Sequence, residues 1–169
     1  MQMTHYMELL AVNQPWNLLI FMAGPVVLAE TLAITELYLL FTHRVDGAVR
    51  QLNRIAGMIV GVYFAGIIVY LIPNAVVPIT RAGAWRTAAD VIAVGSYLLA
   101  GLPLIWIALQ EFGMIGGSKS DHDKLRVHAT CVAIFLVVGH IAMIFGMLNP
   151  EVFGFVPPDA MMNMDHGAH

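Results

Sequence analysis

Ile55-Ala-Gly-Met-Ile-Val-Gly-Val-Tyr-Phe-Ala-Gly-Ile-Ile-Val-Tyr-Leu-Ile72 contains no charged residue and no proline. As an α-helix it reaches about 27 Å, close to the ~30 Å hydrocarbon core of a bilayer. Three more stretches share its character: Trp16 to Thr42, Ala88 to Leu109 and His128 to Leu148. Across all 169 residues only 11% are charged and 59% are hydrophobic, with a mean hydropathy of +0.78. Soluble domains carry about 25% charged residues. The chain therefore reads as an all-α membrane protein with four transmembrane helices.

Short loops between the apolar runs force antiparallel neighbours, which predicts an up-down bundle. Arg44, Arg50 and Arg54 follow the first span, and Lys119, Lys124 and Arg126 follow the third. The loop between the second and third spans holds only Arg81 and Arg86, and neither terminus holds a Lys or Arg. By the positive-inside rule both termini lie outside. Trp16 and Trp85 then mark the outer interface and Trp106 the inner one. The expected organisation is an outer segment 1–15, a helical domain 16–148 and an outer tail 149–169. Pro25 and Pro103 are expected to kink the first and third spans. Gly57, Gly61 and Gly66 give the second span a small-residue stripe for close helix packing. The N-terminus lacks a basic start and a cleavage site, so the first span is expected to stay as an anchor.

Two clusters of soft ligands flank the spans. Met3, His5 and Met7 precede them, and Met161, Met162, Met164, His166 and His169 follow. An even number of crossings puts both on one side of the membrane. Thioether sulfur and imidazole nitrogen suit soft transition metals, Cu(I) above all. Cys131 is the sole cysteine, which excludes an intrachain disulfide and CxxC chemistry.

Ionisable groups within the spans are costly and point to function. Depth counting along antiparallel helices sets Glu30 level with His140, and adds Tyr63 and Tyr97 to a polar layer near the midplane. Nearer the inner face, Glu36 and His43 share one face of the first span, as His128 and Cys131 share one of the fourth. This lower group offers N, O and S donors for a metal. Asp90 reads as interfacial, and Met22, Met58 and Met143 as ordinary apolar positions.

These features predict a transition-metal binding or transport protein, with copper collected by the terminal clusters and a Glu/His layer inside the bundle. The alternative is a b-type cytochrome in quinone-linked electron transfer, with His43 and His128 as axial haem ligands. A third reading is a non-catalytic accessory subunit. No GxSxG, HExxH or phosphate-binding loop is present, so an enzyme is not expected. A net charge of −3 without a basic stripe argues against nucleic acid. Four spans rarely enclose a path alone, so transport would call for a homodimer or a larger complex.

Met7-Glu-Leu-Leu-Ala-Val-Asn-Gln-Pro-Trp16-Asn17, with Glu30-Thr-Leu-Ala-Ile-Thr-Glu36, resembles small bacterial inner-membrane proteins loosely labelled permeases. The resemblance covers most of the chain, tail included. It implies a bacterial inner membrane and assigns no reaction.

Overall fold

The computed structural model describes residues 4–44, 46–116 and 120–154. Within them the chain is helical, with no strand. A short helix α1 (His5–Ala11) precedes four helices long and apolar enough to cross a membrane: α2 (Trp16–Thr42), α3 (Ala48–Arg81), α4 (Ala88–Glu111) and α5 (Asp121–Met147). A 3-10 turn (Pro150–Phe153) ends the described chain. The four helices form a ring in which each packs on its sequence neighbours and α5 returns to α2. The seam between α2 and α5 is the thinnest of the four. Val27, Ile34, Phe41 and Val69 stay largely exposed on the outside of the ring. An apolar exterior of this extent belongs in lipid, and the fold is that of a multi-pass membrane protein.

Two helices are longer than expected. Helix α3 begins at Ala48, seven residues before Ile55, and runs to Arg81 instead of Ile72. Gly47, at φ 89°, supplies the left-handed break before it. Arg50, Asn53 and Arg54 are therefore helical, with Arg50 and Asn53 partnered inside the bundle and Arg54 at its exposed end. Helix α5 begins at Asp121, seven residues before His128. The Ser120 hydroxyl accepts from the Asp123 N–H at 3.2 Å, and Asp121 and Asp123 face the positive end of the helix dipole.

The expected kink at Pro25 takes the form of a π-helical turn over Leu19–Ala23. There the Gly24 N–H donates to Leu19 O, five residues back, which releases Ile20 O. Pro25 has no N–H to offer Phe21 O. Both orphaned carbonyls are served from other helices. Tyr63 of α3 donates to Ile20 O at 2.9 Å, and Tyr97 of α4 donates to Phe21 O at 2.6 Å. A free carbonyl in the bilayer interior costs several kcal/mol, so these two bonds fix α2 against its neighbours.

The small-residue stripe is used within the chain. A Cβ on Gly61 would overlap Ala108 and come within 2.6 Å of Leu104 O, and one on Gly57 would stand 2.9 Å from Ile107. Both glycines let α3 and α4 approach closely. Gly66 faces open space. Phe64 fills the reciprocal notch at Gly101 and meets Tyr97 at a tilt and Phe135 edge-on in the core.

Helix α1 lies across the end of the bundle where α2 starts and α5 finishes. Thr4 donates to Gly146 O, Tyr6 rests on Gly146, and Glu8 pairs with Arg86 at 2.7 Å. The N-terminal segment and the end of the last helix thus meet at one end of the molecule. Asp90, read as interfacial, is fully buried there and accepts from the Arg86 N–H at 3.5 Å.

Candidate functional site

Two polar centres stand out, one at each level that the sequence marked. The lower one draws on all four long helices at the end opposite α1. Glu36 (α2), Asn53 (α3), Glu111 (α4) and His128 (α5) are all buried. His128 Nδ1 lies 3.5 Å from Glu36 Oε1 and 3.6 Å from Glu111 Oε1. Arg50 pairs with Glu111 at 2.9 Å and donates to Asn53 Oδ1 at 2.9 Å. Asn53 donates to Thr35, whose hydroxyl donates to Thr31 O at 2.8 Å. Arg54 reaches the second Glu111 oxygen at 3.4 Å from a side chain that is 58% exposed. The Glu111 carboxylate therefore joins the buried group to the solvated end of the bundle.

Glu36 and His128 meet here as the shared inner level predicts, with Cys131 buried one turn along α5. His43 does not join them. It caps α2 in the left-handed region at φ 53°, and its ring lies 6.0 Å from that of His122. Sequence reasoning missed Glu111 and Arg50. The third span ended at Leu109 in that reading, and Arg50 belonged to a loop, so neither was counted inside the bundle. An acidic residue closing one span and a basic pair opening its neighbour carried the available signal.

The upper centre is a cavity of about 280 Å³ at the thin α2–α5 seam. Glu30 and Met22 line it from α2, and His140 and Met143 from α5. Aromatic rings close its inner wall, Tyr97 and Phe135 among them. Tyr6 reaches it from α1, and burial pushes that hydroxyl above its ordinary range. Glu30 and His140 are exposed on the flank of the bundle beside Val26, Val137 and Ile144. His140 Nδ1 lies 2.6 Å from Leu136 O. A carbonyl only accepts, so Nδ1 is the donor in this contact, and in the neutral imidazole Nε2 is the nitrogen that offers a lone pair.

The midplane quartet is thus divided between two tasks. Glu30, His140 and Tyr97 line one cavity, while Tyr63 is engaged with the π-helical turn and does not line it. Met22 and Met143, read as ordinary apolar residues, line the cavity with them. Among the described residues, no group of three or more His, Cys, Asp or Glu is arranged to hold a metal ion. Met3, the His5 side chain and the tail ligands Met161, Met162, Met164, His166 and His169 lie outside the described residues.

No curated protein and no solved structure matches the chain. Residues 1–162 match a family of unknown function, DUF6803, and the chain belongs to that family.

Proposed function

We propose that the protein handles a soft monovalent metal ion, Cu(I), in a bacterial inner membrane, with both termini on the outer side. The Met/His segments at the two ends collect the ion, and the α2–α5 cavity receives it. The observation that carries this reading is the donor set lining that cavity: the carboxyl group of Glu30, thioethers at Met22 and Met143, and the imidazole of His140, whose Nδ1 is turned to Leu136 O. Soft sulfur with imidazole selects Cu(I) among the common metals. One carboxylate also neutralises one positive charge, which lets a monovalent ion rest in a low-dielectric site; a dication would remain uncompensated. A bare carboxylate on the lipid-facing flank is otherwise unexplained, since a charge at the centre of a span costs at least about 2.5–3.5 kcal/mol.

A haem reading needs His43 and His128 to face a common space. His43 neighbours His122, His128 neighbours two carboxylates, and neither lines the cavity. Copper is therefore the reading carried forward.

The test is a competition titration of Cu(I) against a chromophoric chelator, using full-length protein in mild detergent. Two classes of site are expected. Replacing Met161, Met162 and Met164 with Ala removes the class held by the tail. His140→Ala, or Met22→Leu with Met143→Leu, weakens the other at least about tenfold, or ~1.4 kcal/mol. Identical isotherms for all these variants and the wild type would reject the proposal.

A further inference from the structure

The lower centre has no part in the metal reading. We propose that the Glu36–His128 pair, backed by Glu111, is a proton-binding centre inside the bundle, loaded from the end of the molecule that carries Arg50 and Arg54.

The positive groups near the centre are already committed. Arg50 spans Glu111 and Asn53, and Arg54 reaches the far oxygen of Glu111. Lys124 of α5 lies 3.9 Å from Asp121. Among the described residues, the titratable group facing the centre from α2 is Glu36, and those from α5 are His128 and the Cys131 thiol one turn away. Among the described residues, Glu36 thus has no ion-pair partner except His128.

Among the described residues, no Glu36 oxygen and no His128 nitrogen completes a hydrogen bond within 3.5 Å, although the Asn53 amide and the Arg50 guanidinium stand close to Glu36, and Glu111 Oε1 makes none beyond its ion pair with Arg50. Glu36 is 1% exposed and His128 is 0% exposed. The great majority of buried polar atoms in proteins are paired, and a buried carboxylate without a direct ion pair is costlier still. With the neutral imidazole carrying its own hydrogen on Nε2, one added proton bridges the two facing atoms, Glu36 Oε1 and His128 Nδ1. Bound to Glu36 it makes a neutral acid beside a neutral imidazole; bound to His128 Nδ1 it makes an ion pair. In either form a single N–H or O–H bond forms, and only that bond breaks on release. A charge-assisted hydrogen bond runs to about 2.7–2.9 Å, so a side-chain shift of under about 1 Å from the 3.5 Å separation completes it.

Glu111 supplies the route. Its carboxylate faces His128 on one side and the half-solvated Arg54 on the other. A proton arriving at the solvated end needs to pass only this group to reach the pair. The proposal holds whether or not the protein binds metal.

The experiment uses full-length protein in detergent, with the histidine rings labelled in ¹⁵N, titrated from about pH 5 to 9. Infrared spectra are recorded on the same samples. The expected result is a His128 midpoint accompanied either by a buried carboxylic C=O band, shifted in D₂O, that changes at the same pH (proton on Glu36) or, with no such band, by protonation of both ring nitrogens (proton on Nδ1). Glu36→Gln should abolish any such band and displace the His128 midpoint. Glu111→Gln should keep any such band and move the midpoint. A wild-type protein whose His128 signals and carboxyl bands are invariant across the range would overturn the proposal without recourse to any variant. A titrating band that persists in Glu36→Gln would overturn it as well.

Discussion

Gly61 shows how much depends on one missing methyl group. Its Cα hydrogen lies where any side chain would meet Ala108 and the Leu104 carbonyl. Overpacking a close-packed interface costs about 1–3 kcal/mol. Gly61→Ala should therefore lower the melting temperature of the detergent-solubilised protein, and Ala108→Gly should restore part of the loss. Gly66→Ala, which meets nothing within 4 Å, should leave it nearly unchanged. The sequence marked all three glycines alike, because spacing alone does not say which face of a helix finds a partner. The same limit hid the role of Met22 and Met143. A methionine at helical spacing is usually packing, and only the fold brings these two to one cavity with His140.

Among the elements, α2 carries the most information. Its π-helical turn was legible in Gly24-Pro25 as an expected kink, since proline must leave a carbonyl free. Which groups would answer that carbonyl was not legible, because Tyr63 and Tyr97 lie on other helices. Tyr97→Phe removes the donor to Phe21 O. Hydrogen bonds between membrane helices average about 0.6 kcal/mol and reach ~1.7, and a loss in that range is expected in a denaturation series. Pro25→Ala gives residue 25 an N–H that can serve Phe21 O in place of Tyr97. The Tyr97→Phe loss should then shrink, and a double-mutant cycle measures the coupling. Helices α3 and α5 teach a related lesson. Both extend seven residues further toward their N-termini than the apolar pattern suggests, because polar residues in the first turns are capped or paired. Ser120 with Asp123 was a readable start signal for α5. Arg50 had no such signal, since its partner Glu111 is contributed by α4.

At the scale of the whole molecule, four spans and an up-down order follow from apolar length and loop length alone. The sites resist sequence reading because each is assembled from several helices. Helix α1 is tied to the end of α5 through Thr4 with Gly146 and to the α3–α4 connection through Glu8 with Arg86. Glu8 is 44% exposed at its side chain, so that pair contributes only about 0–1 kcal/mol. Single cysteines added at residue 2 and residue 160 of a Cys131→Ala protein should react alike with an impermeant maleimide on intact cells. Labelling of both from outside is the expected outcome of the proposed orientation.

The most direct test of the metal reading is X-ray absorption at the copper edge. The sample is full-length protein loaded with one equivalent of Cu(I), in which Met161, Met162, Met164, His166 and His169 are all Ala. The account predicts a bound ion with sulfur and nitrogen scatterers that loses its nitrogen shell in His140→Ala. Copper that washes off this protein, or a coordination shell untouched by His140→Ala, would contradict it.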